Sequence, residues 1–445
     1  MYISQIKELA HSLHEDMVAR RRDLHRHPEP GWTEFRTAAM VAKTLTDLGF
    51  EVLVGCDVVA TEAMMGVPTE AKLEQEMARA IEEGADSQWV QQMAGGHTGV
   101  VGILRFSDEG PVVGLRFDMD SNDVTEASDD SHRPVKEGFQ SCHRGAMHAC
   151  GHDGHTTVGL AVAEILATLY KQQKAGIGEG PSLRGTVKLV FQPAEEGVRG
   201  ARAMVASGIV DDVNYMLGAH FGFKAKQTGI LMTNVTGFLA TGKYDVTFEG
   251  VPAHAGAAPE EGKNALLAAA CATLNLHAIA RHSGGASRIN VGRLEGGSGR
   301  NVVGDKGYIA LETRGATSEI NAYMETEVKR IVAAAAMMYD VSFQIKQVGG
   351  ATGGNNTPAL AQHIAAIASE TGEFDSIIEE PCNFNASEDF SYFMERVQAH
   401  GGQAAYVMVG AALAAGHHDS RFDFDEQALD KAAILLATTA VSLLK

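Results

Sequence analysis

Apolar residues at Ile6, Leu9, Leu13 and Met17 recur at three- and four-residue steps, a spacing that predicts helix through residues 2–46. The run His27-Pro28-Glu29-Pro30-Gly31 interrupts it, because proline cannot continue a helix and also restricts the residue before it. A second helix is expected over 33–48, stopped at Gly49. Residues 61–95 read as a polar helical insert, with Leu73, Met77 and Ile81 on one face, Thr69 as N-cap and Gly84 as stop. From Val100 the pattern changes to strand alternating with helix. Strands are expected at 100–105, 112–117, 186–191, 215–219 and 406–409, with a helix over 156–170. That alternation predicts an α/β sheet, largely parallel and covered by helices on both faces.

Between Gly242 and Ala351 the order changes. A strand at 243–249, a helix at 264–280, strands at 287–295 and 307–314, a helix at 318–339 and a strand at 341–347 give β-α-β-β-α-β. The expected fold is therefore α/β: a mixed-sheet catalytic domain covered by helices, interrupted by a ferredoxin-like α+β domain. Its boundaries fall at 1–240 for the first part of the catalytic domain, 241–351 for the insertion and 352–445 for the second part.

Composition narrows the function classes. A chain of 445 residues exceeds what one core usually serves. The formal charge of −19 argues against nucleic acid as a partner, since a phosphate-tracking surface needs a positive field. No apolar run approaches the ~20 residues of a membrane span, and the charged N-terminus does not read as a signal peptide. Five cysteines, few and odd in number, do not form a disulfide framework, so a cytoplasmic protein is expected. The 18 histidines stand out.

Metal-type ligands concentrate in four segments: Arg116 to Asp120, Cys150 to His155, Gln192 to Gly197, and Gly218 to His220, with His417-His418 as a fifth candidate. Three of the four follow an expected strand, and in open α/β sheets ligands bind beyond the carboxyl ends of strands. Cys150 and His152, one glycine apart, can both face a cation, and thiolate, imidazole and carboxylate together suit Zn, Mn, Co or Ni. His155 reads as either a support for that site or a structural residue. Adjacent carboxylates at a strand end repel one another unless a cation intervenes. Glu196 is therefore read as a ligand, and Glu195 as the base that takes a proton from water and returns it to the leaving amine.

These motifs, with Arg21-Arg22-Asp23-Leu24-His25-Arg26-His27-Pro28-Glu29 ahead of them, resemble the M20 metallopeptidases, specifically the amidohydrolase branch that includes hippurate and indole-acetyl-amino-acid hydrolases. The insert 61–95, Pro252-Ala253-His254-Ala255-Gly256, Glu312-Thr313-Arg314-Gly315 and Gly353-Gly354-Asn355-Asn356 are similar to the members that cleave p-aminobenzoyl-glutamate. The resemblance implies cleavage of an N-acyl or N-aroyl amino acid by two divalent ions, Mn2+ favoured and Zn2+ possible. It implies Cys150 as the bridging ligand, with His152, Glu196, His220 and His418 completing the set and Asp118 or Asp120 supporting them. It selects His418 over His417, although Asp419-Ser420 follows where relatives carry Asn-Pro. It also implies that the inserted domain acts as lid and dimerisation surface, within a homodimer or a heterodimer with a related subunit. His254 would stabilise an oxyanion, and Asn301 and Arg314 would hold the substrate carboxylate. Two other readings differ in kind: Cys150 as a nucleophile, which leaves Glu195, Glu196 and His220 unexplained, and a noncatalytic polypeptide that works only with a partner.

Overall fold

The computed structural model describes residues 2–177 and 180–445. The chain divides into two compact units, one of residues 2–236, 355–383 and 392–445, the other of residues 237–354 and 384–391.

The larger unit is built on an eight-stranded sheet. Its spatial order is Glu51–Val54, Val100–Arg105, Thr186–Gln192, Val112–Asp118, Tyr215–Phe221, Gln403–Val409, Ile230–Met232, Ser376–Ile378. The four central strands, Thr186–Gln192 through Gln403–Val409, are mutually parallel. Asp118, Gln192 and Phe221 therefore end at one edge. The flanks depart from the largely parallel expectation: Val100–Arg105 runs antiparallel to both neighbours, and Ile230–Met232 runs antiparallel to Gln403–Val409. The strands Glu51–Val54, Ile230–Met232 and Ser376–Ile378 went unpredicted, being three or four residues long, too short for an alternating pattern.

The helix His152–Ala175 is buried on every side along most of its length, which fits its apolar composition. It begins four residues before the predicted start, so His152 sits in its first turn. Gly159 lets it approach the sheet: a Cβ there would stand 2.7 Å from the rings of Phe117 and Phe191. The first predicted helix is two, Tyr2–Ser12 and His14–Arg26, and the second is Phe35–Leu48, closed as expected by Gly49 in the left-handed conformation. The helical insert contains Glu70–Glu82 and Ser87–Gln92, and Thr69 caps the first by accepting from the amide of Lys72. Leu73 is buried there, but Ile81 is 39% exposed, so the apolar face is shorter than predicted.

The smaller unit has strands Ala240–Glu249, Ser287–Gly296, Lys306–Gly315 and Ser342–Ala351, with helices Ala265–His277 and Ser318–Met338. All three strand pairings are antiparallel, and the strand at each step from edge to edge is fourth, first, third, second in chain order. That is the ferredoxin-like arrangement. Val246, Phe248, Ile309, Ala269, Val328 and Val332 form its core.

Candidate metal centre

Four carboxylates and four imidazole or thiol groups meet at the parallel edge of the large sheet. Asp118 ends one strand and Asp120 follows it; Glu195 and Glu196 lie just past the next. His220 is the penultimate residue of the strand Tyr215–Phe221, and Cys150 and His152 flank Gly151, whose φ of 92° bends the chain into the helix. His418 reaches the same place from the C-terminal segment, its amide donating to the carbonyl of Ala149 at 2.8 Å.

Cys150 belongs to two sets of converging donors: one with His152 and His220, the other with Glu196 and His418, the donor atoms of each set within 4.8 Å of one another. Cys150 Sγ is 3.4 Å from His220 Nε2, and His418 Nε2 is 3.4 Å from Glu196 Oε1. His152 Nε2 lies 4.0 Å from Glu196 Oε1, and His152, Glu195 and Glu196 form a further converging set.

The imidazoles are oriented from behind. His220 Nδ1 contacts the carbonyl of Phe221 at 2.8 Å, and His152 Nδ1 contacts the carbonyl of Asp120 at 2.9 Å. A proton on each Nδ1 leaves Nε2 with its lone pair facing the site, the usual arrangement behind a metal-binding histidine. His152 Nε2 and Glu196 Oε1 are buried without a hydrogen-bond partner. Two orphaned polar atoms facing each other across 4.0 Å suit an ion between them. The electrostatics agree. Burial opposes a charge on His152, yet the carboxylates of Asp118, Asp120 and Glu196 raise it to about 10, so the site favours positive charge at that position. His220, buried beside His155 and His417, is pushed well down and stays neutral, as a ligand must. The residues present fit divalent cations.

His155 and His417 are committed elsewhere. His155 Nδ1 bonds Asp118 at 2.6 Å and its Nε2 accepts from the amide of Phe221 at 3.1 Å, so both of its ring nitrogens are engaged at the strand ends. His417 Nε2 contacts the Phe221 carbonyl at 3.1 Å, and its ring stacks on Phe223 at 4.2 Å.

The turn that carries the acid pair is conformationally costly. Ala194 and Val198 both have positive φ, 51° and 58°, as does His418 at 64°. Asp120 holds that turn: Oδ1 accepts from the amide of Glu195 at 3.0 Å and Oδ2 from the amide of Glu196 at 2.8 Å. Glu34 holds it from the other side, accepting from the amide of Ala194 at 2.7 Å and from Thr98 Oγ1 at 2.6 Å. Burial and the nearby Asp120 raise the Glu34 carboxyl above its usual range.

A second buried network lies behind the site. Arg21 pairs with Asp153 at 2.9 Å, Asp423 at 2.8 Å and Glu426 at 3.3 Å, and His25 bridges Asp153 and Glu126. Asp153 follows His152 directly, so this network fixes the helix start that carries a proposed ligand. Sequence reading assigned no role to Arg21, His25, Glu34 or Arg199. Arg21 and His25 stand in the motif that carries the resemblance, and a buried role for Arg21 could have been read from its place on the stripe of Met17, Leu24 and His25 that the helix buries.

In the smaller unit, His254 is exposed and its Nδ1 accepts from the amides of Gly256 and Ala257 at 3.2 and 3.1 Å. Its loop pairs with that of Asn301: the amide of Ala255 donates to the Asn301 carbonyl at 2.9 Å. Arg314 is not brought to them. It sits at the far end of the strand Lys306–Gly315, roughly 26 Å along at about 3.3 Å per residue, where Glu312 grips its Nε at 2.7 Å and Nη2 at 3.2 Å.

The profile of Peptidase family M20/M25/M40 matches residues 114–442. A polypeptide of the p-aminobenzoyl-glutamate hydrolase of Escherichia coli K12 is 46% identical over 440 residues, covering 99% of this chain and 98% of that one. An indole-3-acetyl-aspartic acid hydrolase of Enterobacter agglomerans is 44% identical over 437 residues, covering 98% of each. The crystal structure of an aminobenzoyl-glutamate utilization protein from Klebsiella pneumoniae superposes with a TM-score of 0.82 at 38% identity, covering 98% of each chain.

Proposed function

The chain belongs to peptidase family M20/M25/M40, and on that premise we propose that this amidohydrolase cleaves p-aminobenzoyl-glutamate to p-aminobenzoate and glutamate. The observation that carries the metal-dependent part is the sharing of Cys150 between two converging donor sets beside Glu195. Cys150, His152, His220, Glu196 and His418 would hold two divalent ions, Mn2+ favoured and Zn2+ possible, with Cys150 common to both. Such ions polarise a carbonyl and lower the pKa of water.

Glu195 supplies the proton traffic. Its carboxylate takes a proton from the attacking water as the carbon–oxygen bond forms, then delivers it to the amide nitrogen as the carbon–nitrogen bond breaks. Asp120 keeps that carboxylate in place by fixing its own amide and that of Glu196. His254, by resemblance, would steady the developing oxyanion and Asn301 would bind the substrate carboxylate; Arg314, at the far end of its strand, would share that carboxylate only if it came from a second polypeptide. Arg314 is held to the same strand face by Glu312, which orients its guanidinium but also competes for it. The Escherichia coli relative is named as one subunit of its hydrolase, which supports assembly with a second, related polypeptide or a second copy of this chain.

A second reading is supported by the 44% relative: an indole-3-acetyl amide of aspartate as substrate. Both named substrates join an aromatic acyl group to an acidic amino acid, which is the substrate class we propose. Metal-reconstituted protein assayed on p-aminobenzoyl-glutamate, indole-3-acetyl-aspartate, hippurate and acetyl amino acids separates the readings, and a clear preference for hippurate overturns the narrow one. Glu195→Gln is expected to lower kcat by about 10²–10⁴ with metal content unchanged. Equal activity removes Glu195 as the base. Activity that survives chelation but not iodoacetamide returns Cys150 to the role of nucleophile.

A further inference from the structure

The start of the helical insert is tied to its surroundings at three points. The amide of Ala60, just ahead of the insert, donates to the carbonyl of Ala203 at 3.0 Å, and Trp32 Nε1 donates to the carbonyl of Met65 at 2.7 Å. The third is Arg199. Its Nε donates to the carbonyl of Glu196 at 2.8 Å, and its Nη1 donates to the carbonyl of Gly66 at 3.3 Å. One guanidinium thus bridges the backbone of the insert to the backbone of a proposed ligand. The site is shaped around it: a Cβ on Gly31 would stand 2.5 Å from Arg199 Nη2, and one on Gly197 would stand 3.1 Å from Nε.

We propose that Arg199 is a positioning residue through which the insert, residues 61–95, holds Glu195 and Glu196 in register for the reaction. Asp120 and Glu34 restrain the amides of this turn, at residues 194, 195 and 196. Those contacts leave the carbonyl of Glu196 to be fixed, and Arg199 fixes it. A planar guanidinium with several donors can span two carbonyls at once, whereas an ammonium cannot reproduce that fork. Displacement of the insert would pull on Gly66, on Arg199 and then on the carbonyl of Glu196, so the insert bears on a proposed ligand through its backbone.

The inference rests on the reading of Glu196 as a ligand and Glu195 as base. Its test therefore includes a readout independent of any substrate, Mn2+ titration of the apoprotein. Arg199→Ala and Arg199→Lys are expected to weaken Mn2+ binding and lower kcat about 10–100-fold, with KM held within about twofold. Methylguanidinium should restore part of the loss in Arg199→Ala but not in the wild type. Trp32→Phe, which removes the donor to Met65 together with the pyrrole half of the buried indole, should give a smaller loss of the same kind. Combined with Arg199→Ala it should add less than twofold, because the insert's hold on Glu196 is already gone. Wild-type Mn2+ affinity in Arg199→Ala overturns the proposal, whether or not any amide is cleaved. Losses that multiply in the double variant also overturn it, since the insert would then not act through Arg199.

Discussion

Replacement of Asp120 by asparagine isolates the part of the site that works through geometry. The side chain is fully buried, and its two oxygens receive the amides of Glu195 and Glu196, with His152 Nδ1 a further 3.3 Å from Oδ1. An amide keeps one oxygen and turns the other into a donor, so one backbone N–H loses its acceptor and meets another N–H. Leaving a buried donor unsatisfied costs about 1–3 kcal/mol. The turn has internal bonds of its own, from the amides of Arg199 and Gly200 to the carbonyl of Ala194 at 3.0 and 2.9 Å. It should therefore shift as a piece rather than unfold. A misplacement on the order of 1 Å can cost about 10²-fold in rate. The expected result for Asp120→Asn is a stability loss of about 1–3 kcal/mol by urea titration of the metal-free protein. Mn2+ affinity and kcat/KM should fall about 10–100-fold each. Parental affinity and kcat/KM in this variant would refute the claim that Asp120 positions the acid pair.

Other perturbations probe the surroundings. Arg21→Met removes a cation shared by Asp153, Asp423 and Glu426; Arg133 and Arg22 still pair with the last two and His25 with the first, so the loss in urea unfolding should fall below the ~3–5 kcal/mol of a fully broken buried pair. Gly200→Ala places a Cβ 1.7 Å from the carbonyl of Pro193, so the turn must move, and both the melting temperature and kcat should drop. Burial alone would raise Asp23, but hydrogen bonds from His27 and Arg36 hold it at about 2 against an ordinary 3.8. Its contribution is complete above the unfolded value of 3.8 and disappears as the pH falls through about 2. The gap in urea midpoint between wild type and Asp23→Asn should therefore close on acidification from pH ~5 to ~2. A gap unchanged at the acid end would show that the pairing with His27 and Arg36 does not stabilise the fold.

Much of this architecture is legible in the chain because it is periodic or dense. Strand Val100–Arg105 has bounds that match the prediction, and the β-α-β-β-α-β order of the smaller unit follows from pattern alone. The ligand candidates fall in short dense segments, with Glu195, Glu196 and His220 at strand ends and Cys150 and His152 at a helix start, so topology brings most of them together. What escaped lacks local trace. Glu34 meets Ala194 across 160 residues, and Arg199 acts on two carbonyls, which every residue carries and no motif marks. The distance between Arg314 and the Asn301 loop likewise follows from strand direction rather than from residue type. No helix among the described residues is long and apolar enough to cross a membrane, in line with the absence of long apolar runs in the sequence.

The left-handed backbone at Ala194, Val198 and His418 has a consequence for engineering the enzyme. Glycine at Ala194 would relieve a conformation that costs a non-glycine residue about 1–2 kcal/mol, whereas at Val198 the lost burial offsets that relief and at His418 a proposed ligand goes with it. A directed-evolution campaign scored on heat resistance alone would then be drawn to residue 194, and would trade turnover for durability there. Libraries that aim at both should hold residues 194, 198 and 418 fixed and seek their gains on the outer helices.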